Sequence, residues 1–344
     1  MKRKSLALFL ALMLFVTFFL GGCTPKNTET KEEPKVEKNL VEEPKAEDSK
    51  EETTEPLRIF ALKGPTAMGL VKMFKDIDDK KEPYTYTIGN SPDEAIAALG
   101  GGKADIFMIP ANMAAGIFQK NQNIQIAGIN TLGVLYLAST GDEIKSLEEL
   151  KGKTVYLAGK GATPEFAFKA LCKKANLTEE DVTLEFKSEH GEVVQSLSQN
   201  PEGIGLLPQP FLTVAMSKND KIHPVYDLNK GWKESFNGED MITGVMVVTK
   251  ELAEKAPEKV DEFLLKYKES VDFVNNNVEE SGDVIGSYDI IPAPIAKKAI
   301  PQCNIVMIDG DKMEKMCDTY FHGLFEIEPK SVGGQVPNGE IYFR

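Results

Sequence analysis

Arginine is nearly missing from this chain: between Arg58 and Arg344 there is none. The guanidinium fork matches phosphate and sulfate better than any other side chain, so a strongly charged dianion is a poor fit to such a sequence. Histidine is almost as scarce, with only His190, His223 and His322, widely separated. No His, Cys and carboxylate spacing suits zinc, and no concentrated acid–base or nucleophile set is present. The sequence therefore offers no metal site and no catalytic residues. Cysteine is limited to Cys23, Cys172, Cys303 and Cys317. Beyond Cys23 an odd number remains at irregular spacing, which is not a disulfide framework. Buried free thiols are the plain reading, with a Cys303–Cys317 bridge as the alternative. Basic clusters are lacking too. With a net charge of −13 the chain is not a nucleic-acid binder, and its acidity argues against docking flat on anionic lipid. Gly100-Gly101-Gly102 lacks the Lys-Ser/Thr of a phosphate loop and reads as a helix end. No cofactor is implied.

One long apolar run is present, and its place is informative. Lys2, Arg3 and Lys4 precede an almost purely apolar stretch over residues 5–20, followed by Gly21-Gly22-Cys23. That order is a secretory signal, too short and wrongly flanked for a structural transmembrane helix. The cysteine after small residues resembles the bacterial lipobox, whose thiol is acylated before cleavage on its N-terminal side. Each buried methylene adds about 0.8 kcal/mol, and two or more acyl chains hold a protein firmly. Residues 1–22 are thus expected to be a lipoprotein signal peptide. Cys23 is expected to be lipidated, leaving the protein extracytoplasmic and held to the bacterial cell membrane by the lipid anchor only. Residues 24–56 contain no aromatic residue, and only Val36, Leu40, Val41 and Ala46 as apolar side chains. Such a segment cannot bury enough surface to offset its ordering entropy, so 23–56 reads as a lipidated, disordered acidic tether.

From Leu57 onward the pattern alternates. Residues 57–62, 84–88, 105–109 and 124–129 read as strands, with helices over 67–74 and after Ser91. Ser91-Pro92-Asp93-Glu94 has the N-cap, the first-position proline and the acidic residue of a capping box. After Leu150-Lys151-Gly152-Lys153 the alternation restarts, with strands at 154–158, 182–186, 204–207 and 222–228 and helices at 164–174, 192–197 and 211–217. Such βαβ units predict parallel-rich sheets covered by helices. The last third is mostly helical; Val260, Phe263, Leu264, Tyr267, Val271 and Val274 form one apolar stripe.

The restart reads as a degenerate repeat. One strand leads into Lys63-Gly64-Pro65-Thr66, another into Lys160-Gly161-Ala162-Thr163. Each loop is followed, at nearly the same distance, by a strand ending in proline, at Pro110 and at Pro208. Two lobes would then each place two loops at the carboxyl ends of their strands, where open α/β sheets bind ligands. Thr163-Pro164-Glu165 has the form of an N-cap, a helical first proline and an early acid, and Gly161 permits a positive φ or a close approach. The unpaired N–H groups of such a helix start suit a carboxylate, a sulfonate, a phosphate or a polarised carbonyl. Plain helix capping is the simpler account of either loop alone. Thr66, Asn112, Asn130 and Thr163, flanked by Lys63 and Lys160, suit a small polar or anionic organic molecule. Ser188-Glu189-His190 reads as capping or as cleft lining, and Trp232, placed in a loop, as packing between lobes.

These segments resemble the type II solute-binding proteins of ABC importers, in the branch that includes nitrate, taurine, alkanesulfonate and thiamine-precursor binding proteins. The likeness is carried by residues 63–69, 104–106, 130–136, 150–155, 159–164 and 207–211, with 300–305 and 331–334 fitting one clade. It implies an α/β, type II periplasmic-binding-protein-like fold: two doubly wound lobes joined by two crossing strands, the ligand cleft between them. Lobe I would be 57–139 and 244–344, and lobe II 140–243. The implied role is capture of a small solute for an ABC permease with its ATPase. The cleft residues would be Lys63, Gly64, Pro65, Thr66, Pro110, Ala111, Asn112, Asn130, Tyr136, Gly161, Ala162, Thr163, His190 and Gln209. Gln209 stands where the clade commonly carries an acidic residue. A surface sensor without a transporter, or an enzyme on the same fold, are the alternatives.

Overall fold

Alternation with period two builds the strands. In β1 (Leu57–Leu62) Phe60 and Leu62 enter one core, while Ile59 and Ala61 enter another on the opposite face. The computed structural model describes residues 55–200 and 202–344. The signal peptide, Cys23 and all but the end of the tether lie outside the described residues.

Two sheets result. The first contains β1, β2 (Tyr84–Gly89), β3 (Ile106–Pro110), β4 (Ile124–Leu132), β10 (Ile242–Thr249) and β11 (Ile305–Ile308), in the order β11-β4-β10-β3-β1-β2. The second contains β5 (Leu135–Ser139), β6 (Thr154–Leu157), β7 (Thr183–Phe186), β8 (Ile204–Pro208) and β9 (His223–Asp227), in the order β7-β6-β8-β5-β9. β1 is parallel to both β2 and β3, and β6 to both β7 and β8. β10 runs antiparallel between β3 and β4, so β3 and β4 point the same way.

Strand membership shifts the expected lobe boundaries. β5 belongs wholly to the second sheet, though residues 135–139 were assigned to lobe I. The chain changes sheets at Gly133-Val134 and returns between Asp227 and Ile242. The reason is that β4 and β5 are both apolar and nearly abut, so the only local mark of the change is Gly133.

The helices are α1 (Pro65–Met68), α2 (Val71–Asp78), α3 (Pro92–Gly100), α4 (Ala111–Asn121), α5 (Thr163–Lys174), α6 (His190–Gln199) and α7 (Phe211–Lys218). They continue as α8 (Leu228–Ser235), α9 (Lys250–Lys255), α10 (Pro257–Asn276), α11 (Val278–Ser287), α12 (Ala293–Ala299) and α13 (Gly310–Ile327). At the start of α3 Ser91 caps Glu94 N–H as its sequence predicts, and Glu94 reaches back to Asn90 N–H. The α10 stripe is buried throughout, and it packs on α2 and β11. α13 does more than return to the first lobe, since it packs on both β4 and α5. One core accordingly runs from Phe107 and Phe118 through Phe321 and Trp232 to Phe168 in the second lobe. Among the described residues no helix is long and apolar enough to cross a membrane.

Candidate functional site

The parallel strands of the first sheet deliver Thr66, Pro110, Ala111 and Asn112 to one edge, with Asn130 and Thr131 beside them at the end of β4. Gly244 of β10 pairs with Pro110 and Thr131 at the same level. A Cβ there would run into Asn130 Oδ1 and Thr66 Cγ2, so glycine suits this close approach. Thr66 Oγ1 donates to Leu62 O at 2.6 Å, within its own loop. Asn130 is fully buried. Its Oδ1 accepts from Thr131 at 2.9 Å, but its Nδ2 meets only Met108 Sδ, at 3.3 Å, a weak acceptor.

At the matching edge of the second sheet, Gly161 has a φ of 75°. Its N–H donates at 2.7 Å to the carboxylate of Glu165, which pairs with Lys169 at 2.9 Å. This corrects the expectation of an open helix terminus capped by Thr163. The cap position is Ala162, and Thr163 is the first residue of α5. Glu165 is the third residue of the helix and reaches back to the loop N–H two residues before its start. Thr163 Oγ1 is thereby free to donate to Asn112 Oδ1 at 2.8 Å, and this bond joins the two lobes.

Gln209, fully buried, makes the second joining contact. Its Oε1 accepts from Thr213 Oγ1 at 2.8 Å, and its Nε2 donates to Gln302 Oε1 at 2.7 Å. Asn304 Nδ2 donates to Gly133 O where the chain changes sheets. His190 opens α6 with its ring 4.9 Å from Phe211. Burial pushes its pKa down to about 4, and Nδ1 is buried without a hydrogen-bond partner. Tyr136 is half-buried opposite Leu207 and Asp227; burial, then Asp227 and Cys303, push its phenol up to about 12.

The structure thus brings Asn112, Thr163, Gln209, His190, Thr66 and Asn130 to the facing edges of the two sheets. It turns the two lysines aside: Lys63 Nζ lies 4.0 Å from Asp289, and Lys160 Nζ sits over the Phe186 ring at 5.3 Å. Gly64, with a φ of 132°, caps the four-residue α1, and Pro65 is its first residue. Gln302, Thr131 and Gly244 are not among the cleft residues expected from sequence, and Glu165 is expected there only as an early acid of its helix. Gln302 and Thr131 had a signal, within the 300–305 and 130–136 segments. Trp232 lies in α8 rather than in a loop, stacked on Phe236 at 4.0 Å and 5.2 Å from Tyr320, and so packs the interior. Cys172, Cys303 and Cys317 are free and buried. A cavity of about 840 Å³ opens between α5, β7 and the end of α13, and none of the cleft side chains lines it. Among the described residues no group of His, Cys, Asp or Glu could hold a metal ion.

With this geometry in place, comparison with known proteins is informative. The NMT1/THI5-like family model matches residues 89–281, more than half of the chain. The chain belongs to the NMT1/THI5-like family. No curated protein sequence matches this family member. Among solved structures it is similar to an ABC transporter protein from Parabacteroides distasonis, with 22% identity and a TM-score of 0.71 over 83% of this chain and 98% of that one. It is also similar to the periplasmic aliphatic sulphonate binding protein SsuA from Escherichia coli, with 16% identity and a TM-score of 0.66 over 84% and 96%. The alkanesulfonate-binding protein SsuA from Xanthomonas axonopodis pv. citri, bound to MOPS, gives 13% and 0.63 over 84% and 97%. The NMT1/THI5-like chain therefore has the two-lobed α/β fold of periplasmic binding proteins, as the sequence resemblance implied.

Proposed function

We propose that this chain is the solute-capturing component of an ABC importer, held outside the cytoplasmic membrane by lipid on Cys23. The observation that carries the reading is the Thr163–Asn112 bond, which brings the first turn of α5 in one lobe onto the first turn of α4 in the other. A ligand held between two such edges must match both at once, and binding it favours the closed form over the open one. Closure is the shape change that a membrane permease would read. Family membership and the structural neighbours, several of which carry solute-binding names, support the same reading. The cleft residues assigned to the ligand are Thr66, Asn112, Asn130, Tyr136, Thr163, His190 and Gln209, with Pro110, Ala111, Ala162 and the two glycines shaping the loops.

The reading assigns no catalysis. His190 packs on the ring of Phe211, and burial pushes the Cys172 thiol up to about 12. A thermal-shift screen of the full chain against small polar solutes tests the binding role. A ligand at a hundred times its Kd should add about 2.7 kcal/mol of stability. Replacing Cys23 with Ala should release the protein from the membrane fraction while leaving its fold intact. A variant that stays with the membrane would remove the anchor from the proposal.

A further inference from the structure

The helices that start at the cleft edge of the second sheet share a capping feature that the proposed solute capture does not require. In α5 the Glu165 carboxylate accepts from Gly161 N–H at 2.7 Å. In α6 the Glu192 carboxylate accepts from Ser188 N–H at 2.9 Å. In α7 the amide oxygen of Gln209 accepts from Thr213 Oγ1 at 2.8 Å and stands 3.4 Å from Thr213 N. Across the cleft α3 repeats the device, with Glu94 accepting from Asn90 N–H at 3.2 Å. A helix N-terminus attracts anions through its free N–H groups and its positive field. In α5, α6 and α3 the acid is the third residue of the helix, and its carboxylate reaches back to the loop N–H two residues before the helix start. Acidic groups thus already stand where the helix field is positive, Glu165 sharing its charge with Lys169.

We propose that the cleft selects an uncharged, hydrogen-bonding solute and turns anions away, with Glu165 and Glu192 as the residues that set this selectivity. The inference rests on the solute-binding reading and names its ligand class.

The remaining side chains agree. Asn112, Asn130, Thr66, Thr163, Gln209, Gln302 and Tyr136 are uncharged. α4 has no acid in its first turn, and Asn112 there accepts from Thr163 Oγ1 through its Oδ1. The lysines flanking the loops face Asp289 and Phe186. Both arginines among the described residues are committed, Arg58 to Asp105 and Arg344 to Glu314. Among the cleft residues assigned to the ligand, two buried polar groups are left for it: His190 Nδ1, without a partner, and Asn130 Nδ2, with only a sulfur. A neutral imidazole and a carboxamide N–H are matched by the donors and acceptors of an amide, urea or lactam, and need no counter-charge.

Charge-paired isosteres test this on the full chain: ethanesulfonate against ethanesulfonamide, nicotinate against nicotinamide, and orotate against uracil, by calorimetry and thermal shift. In any pair that binds, the uncharged member is expected to bind at least tenfold tighter, and tighter binding of the anionic member overturns the proposal. A second arm uses Glu165→Gln and Glu192→Gln, each checked by circular dichroism for a native fold. Freed of its internal carboxylate, a folded variant should gain a thermal response to ethanesulfonate that the wild type lacks. Folded variants that answer ethanesulfonate no better than the wild type also overturn it. A wild type deaf to both members of every pair, beside variants that gain the sulfonate response, would count against the solute-binding reading and leave the charge filter standing.

Discussion

Gly64-Pro65-Thr66 and Gly161-Ala162-Thr163 look like two copies of one loop, yet they do different work. Thr66 spends its hydroxyl inside its own loop, on Leu62 O, while Thr163 sends its hydroxyl to Asn112 in the other lobe. Gly64 caps a helix of four residues, whereas Gly161 introduces one of twelve whose Glu165 returns to bind it. The difference lies one turn downstream. Glu165 satisfies the backbone of the second loop, which releases its threonine for a contact between lobes; Met68 and Gly69 follow the first loop and offer no such acceptor. Similar loop sequences can therefore carry opposite roles, one stabilising its own lobe and the other fastening the two together.

The largest expected asymmetry is in acid. His190 belongs to the second lobe, and no histidine lies in the first sheet or the helices α1 to α4 that flank it. Folded, it stays neutral down to about pH 4, whereas an unfolded chain protonates it near the ordinary value of 6.5. A depressed histidine costs nothing above pH 6.5, and stability is lost as pH falls from there toward 4, by about 3 kcal/mol at the acid end. Urea midpoints measured from pH 7 to pH 4 should fall less steeply in His190→Gln than in the wild type. Equal slopes would mean that the imidazole is hydrated and that acid does not single out the second lobe.

Next comes the contrast between two glycines. Gly244→Ala drives a methyl into Asn130 and Thr66 in a packed sheet and should cost about 1–3 kcal/mol. Gly161→Ala meets nothing within 4 Å, so only its positive φ resists, at about 1 kcal/mol. The reverse ranking in thermal unfolding would show the second edge to be the tighter of the two. The threonines come last. Thr163→Val strands the buried Asn112 Oδ1, at about 1–3 kcal/mol, and should weaken ligand affinity as well. Thr66→Val should cost about 1 kcal/mol and affect affinity less. Equal losses of affinity in titration calorimetry would restore the symmetry that the loop sequences suggest.

Local signals were legible and distant ones were not. The Ser91 cap, the α10 stripe and the strands ending at Pro110 and Pro208 are written within a few residues, because capping and periodicity act over one or two turns. Trp232 was misplaced in a loop because Lys230-Gly231 breaks the helical pattern, although Asp227 caps Asn229 and Lys230 just upstream. Glu165 was visible as an early acid, but nothing local showed that it would face its own backbone. The Thr163–Asn112 and Gln209–Gln302 bonds join residues 51 and 93 positions apart. Such pairings depend on how the two sheets meet.

Those two bonds have a consequence for the water around the molecule. Both join neutral groups, a hydroxyl to an amide and an amide to an amide. Raising ionic strength from 0.1 M to 1 M shortens the Debye length from about 10 Å to about 3 Å and weakens exposed ion pairs such as Lys255–Glu251. It leaves a neutral clasp almost unchanged. The balance between open and closed lobes should therefore hold from dilute water to brine, for a protein that meets whatever salt its surroundings supply.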